Sequence, residues 1–192
     1  VDASGNIVPL QPENRSDFLK KVDALSSQAL RVLAVAARVI DTLPFDPKDK
    51  DLEWSTDKKF DSLVKQPGLT LLGLVASIDP ERDGVAQAVL DANGGHIRVV
   101  MITGDYLPTA IAIAHNVNIL KPEDDVHACA LDCAALRPTG DYLDGDSIDN
   151  LTRTIKVFAR AQPEDKLEIV KSMQRQGLVS AMTGDGVNDA PA

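Results

Sequence analysis

An apolar stripe along residues 18–40 is the first periodic feature of the chain. Apolar side chains recur there at steps of three and four residues: Val22, Leu25, Ala29, Val32, Ala36 and Val39. This spacing is typical of one face of an amphipathic helix, so it predicts a helix that ends before Pro44. Residues 41–68 are polar and contain three prolines, which predicts a surface connection.

Strands and helices are then predicted to alternate. Apolar runs predict strands at 69–78, 97–102, 156–159 and 178–182, and a short strand within 128–136. Helices are predicted at 83–93, 108–116 and 163–176. The run at 69–78 is nearly continuous, which predicts a strand buried on both faces. This order favours a parallel sheet with helices on both faces.

Polar clusters follow four of the predicted strands. They occupy residues 79–82, 103–105, 160–166 and 183–189. Parallel strands place their carboxyl ends at one edge of a sheet, where ligands of such folds bind. We therefore expect the four clusters to converge on a single polar site.

The clusters contain the groups that phosphoryl transfer requires. That reaction needs a hydroxyl and backbone N–H groups for phosphate oxygens, a fixed cation, and carboxylates for Mg²⁺. Thr103 offers the hydroxyl, Gly104 allows close approach of its backbone, and Lys166 offers the positive charge. Taken singly, each has an ordinary alternative, because a Gly-Asp pair often forms a plain turn and a helical lysine is usually solvated.

Residues 183–192, TGDGVNDAPA, form the densest motif in the chain. Asp185 is the best candidate ligand for Mg²⁺, and Asn188 and Asp189 can bind phosphate or support the coordination shell of the metal. Two glycines, two aspartates, an asparagine and a proline within this motif suit neither a core segment nor an arbitrary loop. We expect the motif to be functional, and it strengthens the assignment of the other clusters.

The net charge, the lengths of the apolar runs and the number of cysteines argue against a nucleic-acid-binding surface, a membrane-spanning segment and a zinc site. The formal net charge is −9 without clustered positive residues, so nucleic acid is not an expected partner. No apolar run approaches the roughly 20 residues that cross a bilayer. Cys129 and Cys133 lack further zinc ligands and are expected to be reduced thiols.

Two other groups of polar residues are set aside. Four aspartates are predicted to form a solvated acidic loop, because their spacing does not match a calcium-binding loop: Asp141, Asp144, Asp146 and Asp149. Three histidines show no metal-binding spacing: His96, His115 and His127.

Five motifs together resemble those of the P-type cation-transporting ATPases. In chain order they are LRVLAVAAR (30–38), DPER (79–82), MITGD (101–105), VFARAQPEDK (157–166) and TGDGVNDAPA (183–192). The resemblance is greatest to the type II group, which includes calcium and sodium pumps. Glu81 departs from the pattern, since the family has a proline there.

The resemblance implies an α/β fold with a Rossmann-like parallel sheet of the haloacid dehalogenase type, flanked by helices. The sheet would be incomplete and preceded by a helical piece of a nucleotide-binding domain, with 30–38 as its closing helix. Residues 1–68 would form the end of that domain and a connection. Residues 69–192 would form the carboxyl-terminal part of the phosphorylation domain.

The resemblance also implies roles for individual residues. Residues 103–105, which include Asp105, would hold the phosphate together with Asn188 and Asp189. Lys166 would neutralise the phosphate charge, and Asp185 would coordinate Mg²⁺ with Asp189 beside it.

Nucleotide binding is implied for a second set of residues. Asp79 and Arg82 would lie at a hinge near the nucleotide, and Arg31 would reach the ATP phosphates. Arg160 would lie close by in a supporting position.

The family uses an aspartate in a DKTGT motif as its nucleophile, and this sequence contains no DKTGT. We expect the chain to be part of a longer membrane protein, on the cytoplasmic side, with the rest of the polypeptide as its partner. That protein would use ATP as substrate, Mg²⁺ as cofactor and a transported cation bound by its membrane domain. The 192-residue chain alone is expected to be inactive.

Two other functions stay open. A soluble phosphatase of the haloacid dehalogenase type would need its own nucleophilic aspartate after an amino-terminal apolar strand, and Asp2 follows only Val1. A non-enzymatic module would bind Mg²⁺ or nucleotide without forming a phosphoenzyme.

Overall fold

The structure, a computed structural model, describes residues 4–42 and 67–184. The elements in these ranges are α1 (Pro12–Ser26), β1 (Leu30–Ala37), β2 (Thr70–Ile78), α2 (Val85–Gly94), β3 (Met101–Ile102), α3 (Leu107–Asn116), α4 (Val126–Cys129), β4 (Ala130–Asp132), a 3₁₀ helix (Cys133–Leu136), α5 (Gly145–Thr154), β5 (Val157–Ala159) and α6 (Pro163–Arg175). Most of the predicted connection at 41–68 lies outside the described residues. The described residues form two compact units, one of 4–19, 32–42 and 67–76 and the other of 20–31 and 77–184.

The smaller unit contains most of a two-stranded sheet in which β1 pairs with β2. The predicted helix over 18–40 is wrong in its second half, because α1 ends at Ser26 and residues 30–37 form a strand. The closing helix implied at 30–38 is wrong for the same reason. Ala29 takes a positive φ of 60°, which interrupts the helix, and β2 then offers backbone partners to the aliphatic residues that follow.

Three predicted strands differ from the structure. The strand at Thr70–Ile78 forms, but Leu72 and Val75 are exposed, so burial on both faces is wrong in the described structure. The predicted strand at 97–102 is reduced to two residues, and 178–182 forms no strand. An apolar run adopts strand structure only where a neighbouring strand satisfies its backbone groups, which periodicity does not reveal.

The larger unit is built on a three-stranded parallel sheet in the order β3-β5-β4. The central strand β5 is buried throughout, and it pairs Phe158 with Ile102 on one side and with Leu131 on the other. This confirms the predicted parallel sheet and the short strand within 128–136.

Helices pack on both faces of this sheet. Val157 and Ala159 belong to a buried cluster with Ala110 and Ala114 of α3, whereas Phe158 belongs to a second cluster with Ile169 of α6. Successive residues of a strand point to opposite faces, so α3 and α6 cover different sides of β5. The α/β class with helices on both faces is therefore confirmed.

The predicted helices at 83–93, 108–116 and 163–176 are confirmed as α2, α3 and α6. The predicted acidic loop is wrong at its centre, because α5 begins there. The Asp144 carboxylate accepts the Ser147 N–H at 2.9 Å, so it caps α5, and Asp146 and Asp149 lie within the helix. Cys129 and Cys133 are free thiols, as predicted.

Candidate phosphate-handling site

The carboxyl ends of β3 and β5 stay paired beyond the strands. The Thr103 N–H donates to the Phe158 carbonyl at 2.9 Å, and the Ala161 N–H donates to the Thr103 carbonyl at 2.9 Å. The Arg160 N–H donates to the Asp105 carbonyl at 3.0 Å. These main-chain bonds bring two of the four polar clusters, 103–105 and 160–166, to one edge of the sheet.

The Thr103 hydroxyl is half-buried and held in place. Its Oγ1 accepts the Asp105 N–H at 3.1 Å and donates to Asp105 Oδ2 at 3.1 Å. Gly104 is exposed between them, and a Cβ there would meet only the Ala161 carbonyl oxygen, at 4.0 Å. The described protein therefore leaves open space at Gly104, where a ligand can approach the backbone.

Asp105 also pairs with a residue from a distant part of the sequence. Arg31 Nη2 donates to Asp105 Oδ1 at 2.5 Å, although the arginine side chain is 64% exposed. The hydrogen bond and the charge of Asp105 raise the pKa of Arg31, and Asp79 contributes in the same direction. Arg31 and Asp79, both predicted near the nucleotide, thus lie close enough to interact electrostatically.

Arg82 lies in the turn before α2. Its carbonyl accepts the Val85 N–H at 3.2 Å, so its backbone helps to start that helix.

Arg160, which was expected in a supporting position, lies at this edge beside residues that the sequence did not predict: Tyr106, Asp23 and Asp132. The Arg160 guanidinium lies 5.0 Å from the centroid of the Tyr106 ring, and Arg160 Nε is 4.0 Å from Asp132 Oδ2. The Tyr106 hydroxyl donates to Asp23 Oδ1 at 3.0 Å, and this bond raises the pKa of Tyr106. Asp132 is the last residue of β4 and lies inside the predicted strand region of 128–136, so an acidic side chain in that region was the available signal.

Lys166 lies in the first turn of α6, which begins soon after the paired backbone at Ala161. Its N–H donates to the Gln162 carbonyl at 3.3 Å, and its side chain is half-buried. Asp165 starts the same helix by accepting the Gln162 N–H at 2.8 Å. The start of α6 is therefore fixed near the edge that carries Thr103.

The predicted Mg²⁺ ligands Asp185 and Asp189, together with Asn188, lie outside the described residues. Within the described ranges, no group of three histidine, cysteine or acidic side chains is arranged to hold a metal ion. The same ranges contain no helix with the length and apolar character that a bilayer crossing requires.

The fold and this edge define an α/β domain of the haloacid dehalogenase class. Residues 9–192 match the family described as haloacid dehalogenase-like hydrolase, and the chain belongs to this family. The family match confirms the fold class implied by the sequence motifs.

Several longer proteins that are similar to this chain are P-type cation-transporting ATPases. A P-type sodium-transporting ATPase of Toxoplasma gondii is 40% identical over 98% of this chain, which corresponds to 15% of that protein. One of Plasmodium falciparum is 37% identical over 94% of the chain and 15% of that protein. A calcium-transporting ATPase of Lactococcus lactis is 36% identical over 100% of the chain and 19% of that protein. The chain is thus homologous to a segment of P-type cation ATPases, and it spans 15% to 19% of the length of these relatives.

Proposed function

We propose that the intact protein is a P-type ATPase that couples formation and hydrolysis of an aspartyl phosphate to cation transport across a membrane. This chain would form part of its ATP-hydrolysing head on the cytoplasmic side. The observation that carries the proposal is the main-chain pairing of 103–105 with 160–161, because it supports one shared phosphate-handling edge. The similarity to sodium- and calcium-transporting ATPases supports the choice of reaction.

Thr103, Gly104 and Lys166 act on the transferred phosphoryl group in this proposal. The hydroxyl of Thr103, turned from Asp105 Oδ2 toward the ligand, and the open backbone at Gly104 donate to phosphate oxygens, while Lys166 balances the charge that develops on them. Asp105 holds Thr103 Oγ1 and links it to Arg31. The Asp105 N–H therefore keeps the Thr103 oxygen in place before phosphate arrives, and only the hydroxyl proton has to turn.

Mg²⁺ is the cofactor that this chemistry implies. Asp185 and Asp189 would hold it through carboxylate oxygens, the ligand type that this hard cation prefers, and Asn188 would bind phosphate. Once bound, the ion supplies positive charge to the phosphate oxygens.

Arg31, Asp79 and Arg82 contribute to nucleotide binding in this proposal. Arg31 is positively charged, as arginine is in proteins, and its guanidinium is 64% exposed and so accessible to a phosphate chain. ATP is then the substrate, and the transported cation binds elsewhere in the intact protein.

The test uses the full-length protein with Lys166→Ala or Asp185→Ala. Each change should lower steady-state ATP hydrolysis by ~10²-fold or more, because Lys166→Ala removes a fixed positive charge from the transition state and Asp185→Ala removes a proposed ligand of the Mg²⁺ that supplies another. Phosphoenzyme formed from γ-labelled ATP should fall in parallel. Lys171→Ala is the matched control, because Lys171 lies on the same helix and pairs with Glu168. Unchanged hydrolysis in the Lys166 and Asp185 variants would rule out these roles.

A second measurement separates the proposal from the soluble phosphatase. The purified 192-residue chain contains no DKTGT aspartate, so it should release no phosphate from ATP or from a small phosphoester. Circular dichroism should first establish that the purified chain is folded. Steady phosphate release from the small ester by folded protein would favour the phosphatase.

A further inference from the structure

Asp165 directly precedes Lys166, the residue proposed to neutralise the phosphate charge. Asp165 is fully buried, with 0% of its surface exposed. Arg137 donates to it twice, from Nε to Oδ1 at 3.1 Å and from Nη2 to Oδ2 at 2.7 Å. The Tyr142 hydroxyl donates to Oδ1 at 2.8 Å, and the Gln162 N–H donates to Oδ2 at 2.8 Å. Asp165 therefore accepts four hydrogen bonds while none of its own surface is exposed.

Such a site is more elaborate than the start of a helix requires. The capping box needs only the Gln162 N–H contact from the Asp165 side chain. A buried carboxylate is costly unless it is paired and hydrogen-bonded. The two-point contact from Arg137 fixes direction as well as distance. Burial and the bond to Asp165 raise the pKa of Tyr142, so its hydroxyl stays protonated and remains a donor.

The three side chains join separate parts of the larger unit. Arg137 follows the 3₁₀ helix, Tyr142 lies before α5, and Asp165 lies in the first turn of α6. The other end of α6 has a comparable pair, in which Arg175 contacts Asp149 at 2.6 Å. Only the first pair is adjacent to Lys166 and to the edge that carries Thr103.

We propose that Arg137, Tyr142 and Asp165 are positioning residues that hold the first turn of α6 so that Lys166 meets the phosphoryl group. The inference rests on the proposed function, because it assigns the three residues a purpose in that reaction. None of them is required to touch substrate. Their contribution is geometric, and small displacements of a charge that acts on a transition state have large kinetic effects.

The test is Arg137→Met in the full-length protein. We expect kcat to fall by about tenfold or more, since displacement of a catalytic group by about 1 Å can cost up to ~10² in rate. Inhibition by orthovanadate, a mimic of the transferred phosphoryl group, should weaken in parallel, while KM for ATP stays unchanged. Arg137→Lys keeps the positive charge but loses the two-point contact, so this variant should retain more activity than Arg137→Met and less than the wild type.

Arg175→Met is the control for a purely structural effect. It breaks the arginine–aspartate pair at the far end of the same helix, and it should leave kcat and the orthovanadate response unchanged. Tyr142→Phe removes a single hydroxyl and remains informative if Arg137→Met does not fold. It should shift kcat and orthovanadate inhibition in the same direction as Arg137→Met, by a smaller factor. A normal orthovanadate response in the folded Tyr142 or Arg137 variants would overturn the inference.

Lys166→Ala, measured in parallel, separates the two levels of the argument. If it weakens orthovanadate inhibition and Arg137→Met does not, the positioning inference fails and the proposed function stands. If Lys166→Ala itself leaves orthovanadate inhibition unchanged, the proposed role of Lys166 fails.

Discussion

Thr103→Val tests the phosphate-handling edge most directly. The substitution removes Oγ1, which accepts the Asp105 N–H and donates to Asp105 Oδ2, both at 3.1 Å. It keeps a branched side chain of similar size, so the packing around β3 should be preserved. Thr103→Ser is the matched control, because it removes only the methyl group and keeps the hydroxyl.

The substitution should lower stability and catalysis separately, and the two losses add. Two half-buried hydrogen bonds at about 0.5–1.5 kcal/mol each predict a loss of roughly 1–3 kcal/mol in the free energy of unfolding. Loss of one preorganised donor to the phosphoryl group should lower turnover by ~10²-fold. That ratio corresponds to about 2.7 kcal/mol of transition-state stabilisation, in addition to any loss of folded protein.

Steady-state ATP hydrolysis and thermal inactivation of the full-length variants measure the two effects. Turnover per folded molecule should fall for Thr103→Val and remain close to wild type for Thr103→Ser. The hydroxyl would have no role in phosphoryl transfer if Thr103→Val lost activity only in proportion to its loss of folded protein.

Two further predictions concern groups away from this edge. Burial raises the pKa of the Cys133 thiol to about 12, so native protein at pH 8 should react with maleimide at Cys129 well before it reacts at Cys133. Peptide mass spectrometry measures the two labelling rates, and equal rates would contradict the buried position of Cys133. Arg175 lowers the pKa of Asp149, so the stabilisation from this pair should be present above the usual carboxylate pKa of about 3.9 and disappear as pH falls through the lowered value. Asp149→Asn should therefore flatten the acid dependence of thermal unfolding, and an unchanged pH profile would exclude this contribution.

The parts of the fold that the sequence predicted are those with strong local signals. α3 and α6 carry proline in their first turns, and α2 ends at a pair of glycines, so their limits follow from backbone geometry. The parallel sheet followed from the order of strands and helices, and its carboxyl edge indicated where polar clusters would meet. Residues 103–105 and 160–161 lie together for that reason.

The parts that were missed depend on partners distant in sequence. Residues 30–37 carry an apolar stripe that fits a helix, yet they form a strand because β2 pairs with them. Arg137 and Asp165 are separated by 28 positions, and no local pattern identifies an arginine that will enclose a particular carboxylate. A residue that caps the start of a helix can also be overlooked. Asp144 caps α5, but the sequence analysis assigned it to an acidic loop.

The two halves of the candidate site are stabilised by different kinds of bonds, which has a consequence for mutagenesis. Residues 103–105 are joined to β5 and Ala161 through backbone groups, so a changed side chain there leaves the pairing intact. The first turn of α6 instead depends on the side chains around Asp165. Variants of Thr103 should therefore lower turnover per folded molecule without displacing the two segments, whereas variants of Arg137 should displace the first turn of α6 and lower both turnover and thermal stability. Arg137 variants that lose thermal stability but keep normal turnover per folded molecule would mean that the Asp165 cluster does not control the position of Lys166.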